Sequence, residues 1–229
     1  MDAIKINKVS YCEKISYICE VSKNQSMKLI AISWPTFFDG EARIINALFE
    51  QGLPLLHIRK PDANEADVER LVMRINPEFH DRLTIHYFAD LAARLEVGGY
   101  HLSAGHAPAP EDWDGRISAS CHTLAEVQPM LRSVDYVFLS PILDSISKHG
   151  YKAGFGTDEL LTAHDRGVID RRVVALGGIT PEAMGYVSEM GFGGAAVLGG
   201  LWGDLRYETV MSNYWSFLNC EIACKAAAV

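Results

Sequence analysis

Polar side chains that could transfer a proton end a short β-type run, Arg116–Ser120, near the middle of the chain. Ser120, Cys121 and His122 follow one another there, just before a stretch with helical periodicity. A histidine in this position can exchange protons near neutral pH, and a serine hydroxyl can donate to a phosphate or a substrate heteroatom. Alternation directs Cys121 away from Ser120, which favours a packing role for the thiol. His122 is therefore the candidate catalytic residue, with a loop histidine of no chemical role as the alternative.

A second polar group, His57, Arg59 and Lys60, ends another apolar run. Alternation places His57 and Arg59 on the same side of a strand, where they would face the interior or the mouth of a closed sheet. The cations Arg59 and Lys60 could neutralise a phosphate or a pyrophosphate. An ion pair at the rim is the alternative, and it applies to Lys60 more than to Arg59.

Two glycine pairs, Gly177-Gly178 and Gly199-Gly200, follow the last two apolar runs. Glycine lets the backbone approach a ligand closely, and free N–H groups at the start of a following helix can hold an anion. Tight strand-to-helix turns are the alternative. Because two such pairs follow adjacent strands, we predict that they form a phosphate site.

The remaining candidates are two strand-end histidines, His86 and His101, and a loop lysine, Lys148. His86 and His101 are possible companions of a proton-transferring group. Magnesium requires oxygen ligands, and neither strand end has an adjacent Asp or Glu, so no metal site is predicted. Lys148 lies in a polar loop, Leu143–Gly156, that we expect to cover the mouth as a lid; a solvated surface loop is the alternative.

The pattern along the chain from Met27 alternates short β-type runs with stretches of helical periodicity. Eight such runs favour a parallel sheet covered by helices, and eight units close into a small (β/α)₈ TIM barrel. The segment between Leu102 and Arg116 is too short and too rich in proline for a full helix, so one unit is predicted to be degenerate. An open, doubly wound sheet is the alternative architecture. In a barrel, all the candidate residues would meet at the carboxyl ends of the strands.

Length and composition limit the remaining function classes. The 229 residues suit one domain over 27–229, and the polar residues 1–26 form an N-terminal extension that is either disordered or not native. A formal charge of −8 argues against nucleic-acid binding, and the sequence shows neither a signal peptide nor a membrane-spanning run. Five cysteines without zinc-type spacing indicate free thiols and a cytoplasmic protein. The sequence leaves a homodimer open.

Several motifs, taken together and in order, resemble the thiamine phosphate synthase/TenI family of (β/α)₈ barrels. The resemblance covers the chain from about Met27 to Trp202. The segments that carry it are His57–Lys60, Ser120–Glu126, Asp135–Ile142 with Lys148, Val174–Thr180 and Gly191–Val197.

The resemblance implies an enzyme of thiamine biosynthesis that binds a thiazole phosphate. The synthase branch couples a hydroxymethylpyrimidine diphosphate to the thiazole phosphate with magnesium and releases pyrophosphate. The TenI branch aromatises a thiazole carboxylate phosphate by proton transfer, with a histidine at the position of His122, and uses no cofactor.

The chain departs from the synthase pattern where that pattern has carboxylates. His86-Tyr87 replaces an Asn-Asp pair, His106 replaces an Asp, and Pro61 occupies the position of the family lysine. Because these departures should impair magnesium chemistry, we favour TenI-type tautomerisation. Synthase activity is the alternative, and a non-catalytic protein that binds thiazole phosphate is the second alternative.

Overall fold

The structure, a computed structural model, describes residues 27–103, 107–144 and 154–227, and the predicted extension over residues 1–26 lies outside them. Eight strands are found in these described ranges. They are Lys28–Ile32 (β1), Leu55–Ile58 (β2), Leu83–His86 (β3), Gly99–Leu102 (β4), Arg116–Cys121 (β5), Tyr136–Leu139 (β6), Val173–Leu176 (β7) and Gly194–Val197 (β8).

Helices connect most of the strands and cover the outside of the sheet. They are Glu41–Glu50 (α1), Glu65–Val72 (α2), Ala89–Arg94 (α3), Leu124–Met130 (α4), Thr157–Asp165 (α5), Met184–Glu189 (α6), Gly199–Trp202 (α7) and Tyr207–Ala227 (α8). The described residues between β4 and β5 contain no helix, as predicted from the proline-rich composition of that segment.

The sheet is a closed barrel in which every strand pairs in parallel with its neighbours in chain order and β8 pairs with β1. The predicted (β/α)₈ barrel is therefore confirmed, and the open doubly wound sheet is excluded. Parallel strands are buried on both faces, which explains why runs such as Leu29–Ile32 are apolar throughout. Among the described residues, no helix is both long enough and apolar enough to cross a membrane.

The barrel interior is divided into an apolar half and a polar half. The apolar half comes from strands β1, β2, β6, β7 and β8; its side chains are Ile30, Ile32, Leu55, Phe138, Val174 and Ala196. The polar half comes from strands β2 to β6. Its side chains, called the polar network below, are His57, His86, His101, Ser118, Ser120 and Tyr136.

Candidate active site

The polar network begins with a hydrogen-bonded pair of imidazoles. Nδ1 of His57 lies 2.9 Å from Nε2 of His86, and Nε2 of His57 lies 2.6 Å from the hydroxyl of Tyr136. The alternation of side chains along β2 directs His57 into the barrel, where its side chain is fully buried. Both nitrogens of His57 are therefore engaged with polar partners inside the barrel.

A second group of hydrogen bonds in the polar network surrounds His101. Nδ1 of His101 lies 2.8 Å from the Ser118 hydroxyl, and Nε2 lies 3.0 Å from the Ser120 hydroxyl. Ser118 is paired in register with Tyr136 on the neighbouring strand β6. The hydrogen bonds thus form two groups of three side chains, one centred on His57 and one on His101, and the stacked rings of His86 and His101 bring the two groups into contact.

Burial keeps the imidazoles of this network neutral. Desolvation lowers the pKa of His57 and of His86 well below its ordinary value, and the neighbouring histidines lower it further. Desolvation, together with the positive charge of Arg59, lowers the pKa of His101 to about 3. Burial also raises the pKa of Tyr136 to about 12. All four side chains are therefore uncharged at neutral pH.

The three imidazoles form the one group among the described residues whose type and spacing could hold a metal ion, with candidate ligand atoms within 4.8 Å of one another. Their nitrogens suit a transition metal rather than magnesium, which prefers oxygen. The rings of His86 and His101 are stacked, with centroids 4.1 Å apart and planes 19° apart. Lone pairs in such parallel rings do not converge on one ion, so the observed arrangement is a hydrogen-bonded cluster.

Arg59 follows β2 at the mouth of the barrel, which is the carboxyl end of the strands. Its backbone N–H donates to Oγ of Ser33 at 2.9 Å, which ties it to the loop after β1. Its charge lowers the pKa of both His86 and His101. Within the described residues the half-buried guanidinium has no ion-pair partner. Arg59 is therefore a free cation above the polar network, as an anion-binding role requires.

Lys60 was predicted to bind phosphate, but its ammonium is engaged inside the protein. Its ammonium lies 2.6 Å from Oε1 of Glu41 and donates to the carbonyl oxygens of Trp34 and Thr36. The side chain is 1% exposed, and its cation also lies over the ring of Phe37. Its positive charge is thus compensated inside the protein, where it fastens the loop after β1 to the end of β2.

The two glycine pairs lie at the mouth, in the loops that follow β7 and β8. Gly177 and Gly178 have φ values of +98° and +68°, a conformation that side chains other than glycine rarely adopt. A Cβ on Gly178 would also lie 2.4 Å from the carbonyl oxygen of Asp144. Gly199 and Gly200 are the first residues of α7. The turn after β7 thus requires glycine for its own geometry, and the phosphate-binding role of both glycine pairs remains a prediction.

His122 is exposed at the mouth and has no hydrogen bond to the polar network. Its Nδ1 lies 3.2 Å from the carbonyl oxygen of Ser140, and its backbone N–H donates to Glu126 at 2.7 Å. The Ser140 hydroxyl lies 3.4 Å from the same nitrogen. In the tautomer in which Nδ1 donates to the carbonyl, Nε2 can accept a proton. Glu126 thus lies close to the backbone of His122 at the start of α4, where the Thr123 side chain makes no capping bond.

The remaining residues considered from the sequence are Cys121 and Lys148. Cys121 is a free, fully buried thiol, and burial raises its pKa to about 11, as expected for a packing role. Lys148 and most of the predicted lid over Leu143–Gly156 lie outside the described residues.

Residues 29–201 match the family described as "Thiamine monophosphate synthase" (TMP-TENI), a stretch that contains seven of the strands and nearly all of β1. The chain belongs to this family. The resemblance inferred from the motifs is therefore confirmed.

Two solved structures are similar to this chain. A thiamine phosphate pyrophosphorylase from Bacteroides thetaiotaomicron is 37% identical with a TM-score of 0.76, and the match covers 86% of this chain and 98% of that one. A thiamine phosphate pyrophosphorylase from Pyrococcus furiosus has a TM-score of 0.70 at 18% identity, and it supports the fold alone.

Two curated relatives carry the name thiamine-phosphate synthase. One from Anoxybacillus flavithermus is 34% identical over 116 residues, and one from Latilactobacillus sakei is 30% identical over 147 residues. The matched stretches span 52% and 63% of these two relatives and 48% and 60% of this chain. The names of the relatives agree with the synthase alternative better than with the favoured tautomerase.

Two residues of the polar network, Tyr136 and Ser118, were not among the sequence candidates. Both face the barrel interior, and strand alternation contains that signal. Ser118 is two residues from Ser120 on β5, and Tyr136 is two residues from the interior Phe138 on β6. Alternation counted backwards from the strand ends would have found them.

Proposed function

We propose that the protein is a thiamine-phosphate synthase, which joins a pyrimidine diphosphate to a thiazole phosphate. The observation that carries this proposal is the 37% identity to a thiamine phosphate pyrophosphorylase over 98% of that chain. The free Arg59 guanidinium at the mouth and the glycine turns after β7 and β8 support an anionic substrate at this position.

The proposed reaction breaks one bond and forms one bond. The C–O bond between the pyrimidine methylene carbon and the diphosphate breaks, and the thiazole nitrogen forms the new C–N bond. Pyrophosphate leaves with additional negative charge on the oxygen of the broken bond. Arg59 would stabilise that charge, while the N–H groups at Gly178, Gly199 and Gly200 would hold the thiazole phosphate.

Magnesium, which the family resemblance implies for this reaction, does not fit the residues that the structure describes. The donors at the ends of β3 and β5 are imidazoles and hydroxyls, and the three-histidine group is the only potential metal group of described residues. The Glu126 carboxylate is already engaged by the backbone of His122. We therefore assign no residue as a magnesium ligand.

The synthase proposal is tested by incubating the purified protein with the pyrimidine diphosphate and the thiazole phosphate. Thiamin phosphate and pyrophosphate should form, and the assay is run with and without magnesium because the described residues do not provide its ligands. If neither product forms under either condition, the proposal is wrong. Thiazole-phosphate binding without either family reaction would instead support a non-catalytic homologue.

Replacement of Arg59 tests its role in binding the diphosphate. Arg59→Gln should lower kcat/KM for the pyrimidine diphosphate about 10- to 100-fold, since hydrogen bonds to charged groups contribute about 1.5–3 kcal/mol. The matched control is Arg94→Gln, which removes an exposed guanidinium on α3 that pairs with Glu65. Equal kinetics for the two variants would remove Arg59 from the substrate site.

Tautomerisation of a thiazole carboxylate phosphate is the second candidate function. The observation that favours it is the free Nε2 of His122 at the mouth of the barrel, where the neighbouring polar groups are neutral imidazoles rather than carboxylates. This reaction moves a proton and requires no metal. Arg59 would then bind the carboxylate of the substrate.

A His122 variant tests this second candidate. His122→Ala should lower the turnover of aromatisation about 10²- to 10⁴-fold, the usual contribution of a general acid–base group. Binding of inorganic phosphate, measured by calorimetry, should not change. His164→Gln, an exposed histidine on α5, is the control. Undiminished turnover in His122→Ala would show that another group moves the proton.

A further inference from the structure

Tyr87, the first residue after β3, has an unusual backbone conformation. Its φ is +74°, and the N–H of Phe88 donates to the carbonyl oxygen of His86 at 3.0 Å. A hydrogen bond that spans one residue closes a γ-turn, and a γ-turn with a positive φ at its centre is rare and strained. The strain is greatest for a bulky side chain, so the chain carries a tyrosine at a position where it costs stability.

The other two non-glycine residues with positive φ that the structure describes have an ordinary cause. Glu96 and Leu205 follow α3 and α7, where a left-handed residue lets N–H groups reach the last carbonyl oxygens of the helix. The position directly after β7, which corresponds to that of Tyr87 after β3, is occupied by Gly177 with a φ of +98°. A glycine would fit the turn after β3 with less strain, so the turn alone does not explain the tyrosine.

The turn changes the direction of the Tyr87 side chain. If β3 continued, alternation would direct Tyr87 towards the helices, because the preceding His86 points into the barrel. Instead, the ring of Tyr87 contacts the ring of His86 edge to face, with centroids 5.8 Å apart and planes at 62°. The ring of Phe88 lies 6.5 Å away on the same terms, at 81°. The half-buried Tyr87 ring is thus held beside the polar network at the mouth, with part of its surface accessible.

Arg59 lies at the same part of the mouth as Tyr87. Parallel register pairs Ile58 with Ile85, so Arg59 and His86 are the next residues along β2 and β3. The positive charge of Arg59 lowers the pKa of His86, which agrees with this proximity. A cation after β2 and an aromatic ring after β3 therefore adjoin one another. This combination suits a ligand that carries both an anionic group and a flat ring.

We propose that Tyr87 is a specificity-determining residue whose ring stacks on the pyrimidine ring of the diphosphate substrate while Arg59 binds the diphosphate. For the identity of its ligand, this inference rests on the proposed synthase function. Stacking on an aromatic side chain raises the affinity for a heteroaromatic ring by about tenfold or more. The strained turn fixes the ring before the ligand binds, so little conformational freedom is lost on binding.

Calorimetry with two probes separates the ring from the diphosphate. The wild type should bind the pyrimidine diphosphate more tightly than inorganic pyrophosphate. Tyr87→Leu should lower the affinity for the pyrimidine diphosphate about tenfold and leave that for pyrophosphate unchanged. Tyr87→Phe retains the ring and should retain the preference. Tyr207→Leu is the matched control, since it removes a half-buried ring in the helix layer, where that ring contacts Arg43.

Three results would overturn the proposal. The first is equal affinity of the wild type and Tyr87→Leu for the pyrimidine diphosphate. The second is a wild type that binds the two probes equally or not at all. The third is a parallel loss for both probes in Tyr87→Leu, which would show that Tyr87 shapes the diphosphate site rather than contacts the ring. The synthase proposal fails separately: ring-dependent binding without product formation would refute the reaction and leave the role of Tyr87 intact.

The strain is tested without any ligand. Tyr87→Ala and Tyr87→Gly both remove the ring, but only glycine adopts this φ freely, so Tyr87→Gly should unfold at a urea concentration about 0.5 M higher. At Asp90, an exposed residue in the first turn of α3, alanine should instead be more stable than glycine, as in any helix. Tyr87→Gly should still bind the pyrimidine diphosphate about tenfold more weakly than the wild type. A higher midpoint for Tyr87→Ala would show that the turn is not strained, which would overturn the argument that the ring is retained for binding.

Discussion

Acidification from pH 8 to pH 5.5 should lower the free energy of unfolding by about 4 kcal/mol through His57, His86 and His101, at about 1.4 kcal/mol for each histidine. Burial lowers the pKa of all three in the folded protein, to about 3 for His101. In the unfolded chain the same groups take up protons below their ordinary pKa of about 6.5. The unfolded state then binds more protons than the folded state, so stability falls as the pH decreases below about 6.5.

Denaturant unfolding at a series of pH values measures this slope. Burial raises the pKa of Glu41, so protonation of this carboxyl raises the stability at low pH, opposite to the effect of the histidines. The decisive quantity is therefore the difference in slope between the wild type and a histidine variant. His101→Gln retains groups that can bond to Ser118 and Ser120 and should reduce the contribution of the histidines to the slope by about a third. His164→Gln is the exposed control. Identical slopes in the wild type and His101→Gln would show that this imidazole titrates normally.

Lys60→Met should destabilise the protein by about 3–5 kcal/mol, because it leaves the buried Glu41 carboxylate without its cation. Burial lowers the pKa of Lys60 and raises that of Glu41, so each group depends on the other to remain charged. Oε2 of Glu41 already lacks a hydrogen-bond partner among the described residues. The loss should appear in the denaturant midpoint at pH 7.

The double variant Lys60→Met/Glu41→Gln tests whether the effect of Lys60→Met comes from the uncompensated charge of Glu41. It removes both charges and should recover most of the stability lost in Lys60→Met, since the desolvation penalty disappears with the charge. Arg94→Met breaks a solvent-exposed pair with Glu65 and should have a much smaller effect. If Lys60→Met is no more destabilising than Arg94→Met, the buried pair does not stabilise the fold.

The order of strands and helices could be predicted because it depends on local patterns. The run Leu29–Ile32 and the helical periodicity of Glu41–Glu50 are visible within a few residues, and eight repeats of strand and helix favour closure into a barrel. Two glycines with positive φ, Gly177 and Gly178, mark the turn after β7 for the same local reason. The motifs also indicated the family, because they lie in the family's order at the ends of the predicted strands.

The partners of the polar side chains could not be predicted from local patterns. Nothing in the sequence near Lys60 indicates that its ammonium reaches Glu41, 19 residues away, rather than a phosphate. The strand-end histidines looked alike in sequence, yet His86 is buried in the polar network whereas His122 is exposed at the mouth of the barrel.

The sequence alone thus determined the barrel, its family and which residues lie at the ends of the strands, because strand alternation and turn chemistry act over short distances. Only the tertiary structure decided which side chains meet, because parallel register brings together residues from strands far apart in the chain. Register places His86 beside His101 and Ser118 beside Tyr136. Because burial excludes water from the space between them, these groups form hydrogen bonds with one another and remain neutral.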